Sequence, residues 1–388
     1  MKTICYVTST RAEFGALELL LEKVNQCDEF ELEIVATGMH LSNEFGYTYN
    51  EIIDSGFEID EKIETILSSD SKAAMTKCMA LTLNSFAEYF QRKMPDILLV
   101  SGDRFEMLAV CIAAYNQGIP IAHLHGGEIT EGAMDDAIRH AMTKLSYWHF
   151  AATNEYRKRI IQLGENPQRV YTVGALGVEN TQKIEIMDRI ELEKSINFEL
   201  GEKYFVVTFH PETMGSHDSN VQIHNLFKAI DCFKNYKVII TKANSDADGR
   251  KINLEIEKYA LQNLDRIKFV DSLGMKRYLS AVKYCSAVIG NSSSGIVEVP
   301  SFRVPTVNIG NRQKGRICAD SVIHCTCDEN SIKNAINKAI SFEFQDRIKN
   351  VINPYGDGET SDKILKILLR ESKKELKIKS FYDVEFEI

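Results

Sequence analysis

The sequence predicts an α/β protein made of two Rossmann-like, doubly wound domains. Short β-branched and aliphatic runs alternate with longer segments of helical period along the whole chain. Parallel strands need crossover connections, so this alternation indicates parallel sheets with helices on both faces. The chain has 388 residues, whereas a single hydrophobic core rarely serves more than about 250–300 residues. Because the strand–helix series restarts once, we predict two domains.

The elements follow from the pattern of apolar residues. The strand candidates of the first series are Thr3–Thr8, Leu32–Thr37, Asp96–Ser101, Pro120–Leu124, His149–Thr153 and Val170–Val173. Those of the second series are Tyr204–Phe209, Lys237–Thr241, Ile267–Val270, Ala287–Ile289 and Thr306–Ile309. Between the first two strands, Leu17, Leu20, Leu21 and Val24 recur at helical spacing and predict a helix that packs on a sheet.

The domain boundary is predicted within residues 174–203, where the apolar periodicity weakens and a charged segment intervenes. The predicted domains are residues 1–178 and 179–356, followed by a C-terminal helix and tail over 357–388. The apolar stripe of this helix could pack on either domain, and the sequence does not choose between them.

Composition limits the classes of function. Lys and Arg total 46 against 55 Asp and Glu, which gives a formal net charge of −9. A negative chain lacks the basic footprint of a nucleic-acid-binding protein, and no apolar run reaches the roughly 18–20 residues that span a bilayer. The nine cysteines are scattered without paired zinc spacing, and the first residues have no signal-peptide pattern. We therefore expect a cytoplasmic protein with no nucleic-acid partner and no membrane contact.

Three carboxylates follow neighbouring strands of the first predicted domain, namely Asp103, Glu128 and Asp135. In open parallel sheets, ligands bind beyond the carboxyl ends of the strands. A lone Asp between a strand and an Arg is most often a structural cap or an ion pair. Three carboxylates at one edge favour acid/base chemistry, because neighbouring carboxyl groups can be driven to different pKa values and divide the acid and base roles.

A pair of histidines lies in the same region. His123 and His125 alternate on a predicted strand and therefore face the same side of it. Together with Asp, Glu and His210 they could bind a metal ion. The alternative, which we favour, is that one histidine hydrogen-bonds in the core while the other lines a cleft. We therefore predict no metal.

The second domain contains two candidate anion sites. The turn Asn291–Gly295 links a strand to a helix, where free N–H groups could take phosphate oxygens; it could equally be an ordinary serine N-cap. The run Arg312, Lys314 and Arg316 concentrates positive charge, although alone it is typical of a solvated surface turn. Together they favour a diphosphate ligand. The chain lacks a P-loop and a G-x-G-x-x-G after its first strand, which disfavours kinase and nicotinamide chemistry.

These residues, taken in order, resemble the hydrolysing UDP-N-acetylglucosamine 2-epimerases, in particular the bacterial branch of the sialic-acid and legionaminic-acid pathways. The similar stretches are Thr8–Phe14, Thr37–His40, Gly102–Glu106, His125–Glu128, Asp135–His140, Phe209–Thr213, Gly290–Gly295 with Glu298, and Asn308–Arg316. No single stretch is decisive. The ordered set, which extends to about Arg316, is highly specific.

The resemblance implies a glycosyltransferase-B-like fold with the nucleotide in the interdomain cleft. The first domain would carry the acid/base residues and the second would bind the nucleotide. The implied reaction removes the C2 proton and the nucleoside diphosphate, giving a glycal-like intermediate. Water then adds at C1 and a proton returns to the other face of C2. This chemistry needs acid/base groups and cations but no cofactor.

The resemblance also implies roles for single residues. Asp103 and Asp135 match acid/base carboxylates, and His210 matches a catalytic histidine. The positions that match nucleotide or substrate contacts are Arg11, His40, Arg104, Ser292, Ser293, Gly295, Glu298 and Arg312, with Glu298 suited to ribose hydroxyls. The family implies a homodimer or homotetramer.

One departure concerns His125. Many members of the wider family have a glutamate at this position, so either His125 or Glu128 must supply the function of that carboxylate. We predict a catalytic role for Glu128, with His125 beside it as a substrate-binding residue.

The leading prediction is conversion of UDP-N-acetylglucosamine to N-acetylmannosamine and UDP, for the biosynthesis of sialic-acid-type sugars. A competing hypothesis is the same reaction on a UDP- or GDP-linked 2,4-diacetamido-2,4,6-trideoxyhexose. Three further hypotheses are a glycosyltransferase of the same fold, a metal-dependent hydrolase built on His123 and His125, and a non-catalytic nucleotide-sugar sensor.

Overall fold

A computed structural model describes residues 1–69, 71–131, 134–212, 218–243 and 248–385. The chain divides into two compact units. Unit 1 comprises Met1–Glu128, Asp135–Asn180 and Tyr355–Ile388, and unit 2 comprises Ile129–Met134 and Thr181–Pro354.

The described residues form strands and helices in alternation. The strands are β1 (Lys2–Thr8), β2 (Phe30–Thr37), β3 (Glu61–Ile63), β4 (Ile97–Ser101), β5 (Ile121–Leu124), β6 (Trp148–Ala151), β7 (Val170–Thr172), β8 (Tyr204–Thr208), β9 (Lys237–Thr241), β10 (Ile267–Val270), β11 (Ala287–Gly290), β12 (Thr306–Ile309) and β13 (Val322–Cys325). The helices are α1 (Arg11–Asn25), α2 (Tyr49–Asp54), α3 (Lys72–Lys93), α4 (Phe105–Asn116), α5 (Asp135–Leu145), α6 (Asn154–Gln162), α7 (Leu176–Lys183), α8 (Arg189–Ile196), α9 (Ser219–Asp231), α10 (Gly249–Leu261), α11 (Gly274–Tyr284), α12 (Ser294–Val297), α13 (Glu329–Ala339), α14 (Phe342–Arg347) and α15 (Thr360–Glu371).

In the described part of unit 1, a parallel sheet has the strand order β3-β2-β1-β4-β5-β6-β7. The sheet of unit 2 has the order β10-β9-β8-β11-β12-β13 and is also parallel over its described strands. Both orders reverse direction between the first and fourth strands of the unit. A reversal of this kind marks the place where a doubly wound sheet binds its ligand.

Both faces of the unit 2 sheet are buried, as β8 shows. Phe205 and Val207 pack into one apolar cluster, whereas Tyr204 and Val206 pack into another. Alternate residues of a strand point to opposite faces, so the two clusters lie on the two sides of the sheet. This is why the strand is a continuous apolar run in the sequence.

The two parallel sheets with interleaved helices confirm the predicted fold class. Two short edge strands, β3 and β13, were not predicted. β3 has the sequence Glu-Lys-Ile, and β13 has only one buried residue, so neither has the apolar pattern of a central strand.

The two units are not continuous segments of the chain, as the predicted domains are. The change of unit after Asn180 lies two residues beyond the boundary predicted at 178. Residues 129–134, expected in the first domain, belong to unit 2. The C-terminal helix α15 belongs to unit 1, where Ile364 and Leu368 pack in its core and the buried carboxylate of Glu179 accepts hydrogen bonds from Ser361. No helix within the described residues is long and apolar enough to cross a membrane.

Candidate functional site

The segments that follow the strands at the two sheet reversals carry several of the predicted site residues. In unit 1 these segments follow β1 and β4: Arg11 begins helix α1 after β1, and Asp103 lies in the turn after β4. In unit 2 they follow β8 and β11, and His210 and Asn291 lie on them. Each unit therefore has a polar centre at the edge where its fold positions a ligand.

Asp103 lies at the centre of the polar group in unit 1. One of its carboxylate oxygens pairs with the guanidinium of Arg139 on α5. The same guanidinium donates to the backbone carbonyl of Glu128 at 2.9 Å and lies 3.7 Å from Asp136. The side chain of Arg139 is only 1% exposed, so one buried cation fixes the two carboxylate-bearing loops that follow β4 and β5.

His125 and Glu128 are in direct contact. Nδ1 of His125 lies 3.1 Å from Oε1 of Glu128. The histidine side chain is 21% exposed and the glutamate side chain is 3% exposed. The backbone of His125 has a φ of 63°, which is unusual for a residue with a side chain. The turn therefore places the imidazole between the carboxylate and the surface.

Asp135 and Arg11 each begin a helix. Asp135 is the first residue of α5 and is partly buried, where the helix dipole stabilises a carboxylate. Arg11 is the first residue of α1 and follows the N-cap Thr10. These helices follow β5 and β1 in the chain, so both residues come after the carboxyl end of a central strand of unit 1.

His123 is part of the core rather than of an exposed pair. β5 ends at Leu124, so the alternation that predicted a shared face with His125 does not continue to that residue. Nε2 of His123 lies 2.8 Å from the carbonyl of Gly102, and Nδ1 lies 3.4 Å from the hydroxyl of Thr143. Burial lowers the pKa of His123 to about 3. The neutral ring thus supports the backbone beside Asp103.

Arg104 is held by a second buried carboxylate. Its Nε donates to Oε1 of Glu106 at 2.8 Å, and the two side chains are 11% and 2% exposed.

Glu13 closes a capping box at the start of α1 by accepting hydrogen bonds from Ser9 and Thr10 through Oε2. Burial raises the pKa of Glu13 to about 7, although the charge of Arg104 opposes this rise.

His40 is fully buried in a 3-10 turn after β2. Its Nε2 lies 3.1 Å from the hydroxyl of Thr8, and its Nδ1 lies 3.0 Å from that of Thr48. Burial lowers the pKa of His40 to about 4. With both ring nitrogens engaged, the neutral ring supports the end of β1.

In unit 2, Asn291 organises the centre around His210. The amide oxygen of Asn291 accepts a hydrogen bond from the backbone N–H of His210 at 2.7 Å, and its amide nitrogen donates to the backbone carbonyl of His210 at 2.8 Å. The carbonyl of Asn291 accepts hydrogen bonds from Arg312 at 3.2 Å and from Gln313 at 2.9 Å. One turn therefore brings the predicted catalytic histidine and a predicted diphosphate-binding arginine together.

The loop that carries the predicted cation cluster is pinned at its start. Oε1 of Glu212 accepts a hydrogen bond from the backbone N–H of Asn311 at 2.6 Å. Lys314 forms an ion pair with Glu131 at 2.8 Å, and both side chains are largely exposed. Such an exposed ion pair contributes only about 0–1 kcal/mol to stability. Lys314 can therefore exchange Glu131 for an anionic ligand at little cost in free energy.

The predicted serine turn is followed by a helix of one turn, α12, which weakens the helix-dipole part of the prediction. The hydroxyl of Ser292 accepts a hydrogen bond from the backbone of Ser294. Gly295 packs closely against Thr306, where a Cβ would lie 2.7 Å from a methyl carbon; its predicted substrate contact stays a prediction. Ser293 and Glu298 flank α12 and are partly buried.

Sequence reasoning assigned no individual role to four residues of these centres: Arg139, Glu106, Glu13 and Asn291. Arg139 and Glu13 had usable signals, a carboxylate three residues before the arginine and the Thr-x-x-Glu pattern of a capping box. The roles of Glu106 and Asn291 depend on tertiary contacts. Thr213, the last residue of the stretch that begins at Phe209, lies outside the described residues. Within the described ranges, no group of three or more His, Cys, Asp and Glu side chains is placed to hold a metal ion.

Two doubly wound parallel sheets, each with a polar centre at its reversal, define an α/β protein of the glycosyltransferase-B-like class. Residues 22–369 match the sequence profile described as UDP-N-acetylglucosamine 2-epimerase. The chain therefore belongs to the UDP-N-acetylglucosamine 2-epimerase family, which confirms the resemblance found in the ordered motifs.

Individual relatives add detail. A GDP/UDP-N,N'-diacetylbacillosamine 2-epimerase (hydrolyzing) of Campylobacter jejuni is 39% identical over 95% of both chains. The polysialic acid biosynthesis protein P7 of Escherichia coli is 37% identical over 99% of this chain and 98% of its own length. Among solved structures, UDP-GlcNAc 2-epimerase from Neisseria meningitidis, bound to UDP-GlcNAc, superimposes with a TM-score of 0.78 at 17% identity, covering 95% of this chain and all of that one. This last similarity concerns the fold.

Proposed function

We propose that the chain is a hydrolysing 2-epimerase of nucleoside-diphosphate-linked 2-acetamido sugars. It uses one water molecule and releases the free C2-epimeric sugar and the nucleoside diphosphate. Family membership supports the reaction class. The observation that carries the proposal is the buried guanidinium of Arg139, which holds Asp103 and the loop of Glu128 beside each other at the ligand-binding edge of unit 1.

The reaction has two halves. A base removes the proton from C2 while the C1–O bond to the diphosphate breaks, and the electron pair of the C2–H bond forms the C1–C2 double bond. In the second half, water adds its oxygen to C1 and gives one of its protons to a carboxylate that acts as base, while an acid delivers a proton to the opposite face of C2. Two groups of different protonation state are needed, which a set of carboxylates and a histidine supplies.

We assign one of these groups to His125, with Glu128 behind it. A carboxylate only accepts hydrogen bonds, so the Nδ1 atom that faces Glu128 carries the proton of the neutral ring. Nε2 is then the nitrogen that exchanges a proton with the sugar. The greater exposure of the histidine side chain, 21% against 3%, supports this order. Glu128 thus orients the imidazole that occupies the place of the usual glutamate.

Asp103 and Asp135 are the remaining acid/base groups in this proposal. Asp103 is 23% exposed and is paired with Arg139, which fixes the position of its carboxylate after β4. Asp135 stands at the start of α5, about one helical turn before Arg139.

Unit 2 holds the leaving group in this proposal. Arg312, Ser292 and Ser293 contact the diphosphate, and Arg11 and Arg104 are assigned further substrate contacts in unit 1. Cations that meet the developing charge of the diphosphate lower the barrier to C1–O cleavage. Glu298 accepts hydrogen bonds from the ribose hydroxyls, and His210 acts next to the diphosphate as a hydrogen-bond donor or acid.

The substrate that we favour carries a 2,4-diacetamido-2,4,6-trideoxyhexose on UDP or GDP. The support is the Campylobacter jejuni relative, whose name gives this sugar class and which is 39% identical over 95% of both chains. UDP-N-acetylglucosamine is a second candidate, because the Escherichia coli relative, 37% identical, is named for polysialic acid biosynthesis.

A panel of nucleotide sugars tests the proposal. The purified chain is incubated with UDP-N-acetylglucosamine and with the UDP- and GDP-linked diacetamido sugars, and released nucleoside diphosphate and free sugar are quantified together. We expect equal amounts of both products and the highest kcat/KM with a diacetamido donor. Greater kcat/KM for UDP-N-acetylglucosamine would overturn the substrate assignment but not the reaction class. Transfer of the sugar to an added acceptor, without free epimer, would indicate a glycosyltransferase.

A further inference from the structure

The reversal of the unit 2 sheet brings Asn291 against His210. β8 and β11 are hydrogen-bonded neighbours, with Thr208 opposite Gly290, so the chain leaves both strands at the same level. Gly290 has a φ of 137°, and a Cβ there would collide with the carbonyl of Thr208. Only glycine allows this close approach, which puts the next residue, Asn291, beside the backbone of His210.

The side chain of Asn291 satisfies both main-chain polar groups of His210, at 2.7 and 2.8 Å. Asn291 is 1% exposed and His210 is 5% exposed. Loss of the amide would leave buried donors and acceptors unsatisfied, and the histidine backbone would no longer be held in one place. The pair therefore fixes the backbone from which the imidazole of His210 projects.

The backbone of Asn291 makes a second connection. Its carbonyl oxygen accepts hydrogen bonds from the guanidinium of Arg312 and the amide of Gln313, at 3.2 and 2.9 Å. The loop of Arg312 is itself pinned by Glu212 through Asn311. Asn291 thus forms hydrogen bonds with both the predicted catalytic histidine and the predicted diphosphate-binding arginine.

A second asparagine of unit 2 shows what is special about Asn291. Asn253 makes the same two-point pairing with the backbone of Ala243, at 2.8 and 3.2 Å. No cation among the described contacts donates to the carbonyl of Asn253. Each asparagine holds the backbone of a residue that follows a strand, His210 after β8 and Ala243 after β9. Of the two, only Asn291 also accepts a hydrogen bond from an arginine through its carbonyl.

We propose that Asn291 is a positioning residue that sets His210 and Arg312 relative to each other for departure of the diphosphate. The inference rests on the proposed function for the roles of those two residues. Asn291 acts through the backbone of the histidine and the guanidinium of the arginine, so its loss displaces both groups at once.

A double-mutant cycle tests this coupling. Asn291→Ala, His210→Gln and the double variant are compared for kcat, KM and thermal midpoint on the best substrate of the panel. We expect Asn291→Ala to lower kcat and raise KM, and to make the added His210→Gln change nearly silent, with a coupling of about 10-fold or more. A cycle with Arg312→Ala should show the same pattern in KM.

Asn253→Ala is the matched control. It removes the same kind of pairing and should lower the thermal midpoint by a similar amount. Its effect on kcat should add to that of His210→Gln within about 2-fold, because the two sites share no partner among the described contacts. Equal additivity for Asn291→Ala and Asn253→Ala would overturn the proposal.

Asn291→Asp is a second variant that tests the positioning role of Asn291 if Asn291→Ala does not fold. At high pH the carboxylate faces the carbonyl of His210 and repels it, whereas the protonated acid offers both a donor and an acceptor as Asn does. The ratio of variant to wild-type kcat should therefore rise as the pH falls. A ratio independent of pH would contradict the positioning role.

A wrong reaction assignment can be distinguished from a wrong positioning role for Asn291. If the wild-type chain turns over no sugar in the panel, the reaction assignment fails, and the same cycles are measured by calorimetry of UDP and GDP binding. Coupling between Asn291→Ala and Arg312→Ala in binding would then support the positioning role, and additivity would overturn it.

Discussion

Acid/base candidates of unit 1 are paired with other ionisable side chains, whereas the described hydrogen bonds of Asn291 and Arg312 in unit 2 join side chains to the backbone. In unit 1, Arg139 meets Asp103, and Glu128 meets His125. In unit 2, the amide of Asn291 meets the main chain of His210, and Arg312 meets a carbonyl. Ionisable partners are suited to moving protons, and fixed backbone groups with a cation are suited to holding an anion. Single substitutions in either centre test this difference.

Loss of a unit 1 carboxylate should have the largest effect. Asp103→Asn keeps an oxygen for Arg139 but removes the base, so we expect kcat to fall about 10³-fold, within the range for general base catalysis. Binding of UDP or GDP, measured by calorimetry, should change less than about 3-fold. The control is Asp96→Asn at the opposite end of β4, whose carboxylate caps the backbone of Thr3. Near-normal turnover of Asp103→Asn, or equal losses in both variants, would contradict the role of unit 1.

Loss of either His125 or Glu128 should have the second-largest effect on kcat. Glu128→Gln removes the carboxylate that orients the imidazole, and we expect kcat to fall about 10²-fold. His125→Ala should lose a similar factor and regain activity when imidazole is added to the assay. Glu179→Gln is the control, because Glu179 is a buried carboxylate whose contacts to α15 are structural. That variant should lower the thermal midpoint and leave kcat unchanged. An unchanged kcat in Glu128→Gln would remove the pair from the mechanism.

Loss of the unit 2 cation should act on affinity. Arg312→Ala removes a diphosphate contact that is made in the bound substrate, so we expect KM to rise about 30-fold. We expect a smaller fall in kcat, because the same cation also stabilises the charge that develops on the diphosphate during C1–O cleavage. Arg347→Ala, at the end of α14 of the same unit, removes an exposed arginine and should leave KM unchanged. An Arg312→Ala variant that lost kcat at constant KM would contradict the division of roles between the two units.

The last prediction concerns the pH dependence of stability rather than catalysis, and it depends on Glu13. Its pKa is raised to about 7 in the folded chain, mainly by burial. The folded state therefore holds this proton more tightly than the unfolded state, and the resulting stability is present at pH below about 4.5 and lost as the pH rises through about 7. Glu13→Gln should flatten the fall of the free energy of unfolding over this interval by about 3 kcal/mol. Urea titrations of both chains at several pH values measure it, and parallel curves would refute the assignment.

Most of the fold could be predicted because central strands such as β8 and β9 are largely buried and appear in the sequence as apolar runs. Edge strands are different. β3 has three residues, two of them charged, and owes its conformation to pairing with β2. The one-turn length of α12 was not predicted either; the helix is followed by a 3-10 turn over Val299–Phe302 that contains Pro300.

The docking of the C-terminal tail shows a further limit. Lys379 donates to the carbonyls of Lys144 and Ser146, both at 2.6 Å, and pairs with Glu165 at 2.9 Å. Burial lowers the pKa of Lys379 to about 8. No periodicity marks this segment, because its contacts are with the carbonyl end of α5, more than two hundred residues earlier in the chain.

The proximity of Asp103 and Glu128 could be predicted, because both follow neighbouring strands of one parallel sheet, β4 and β5. Their catalytic roles stay predictions. Arg139 and Asn291 could not be assigned in this way. A buried arginine and a buried asparagine acquire their roles from partners that only the folded chain supplies.

In the proposed reaction, unit 1 exchanges the C2 proton with solvent while unit 2 holds the diphosphate. The most direct test is turnover in D₂O, with proton NMR of the free sugar, for the wild-type chain and for Asp103→Asn. We predict one deuterium at C2 of the epimerised wild-type product and no deuterated product within the same time from the variant. Free epimer that retains its original C2 hydrogen would contradict this division of roles.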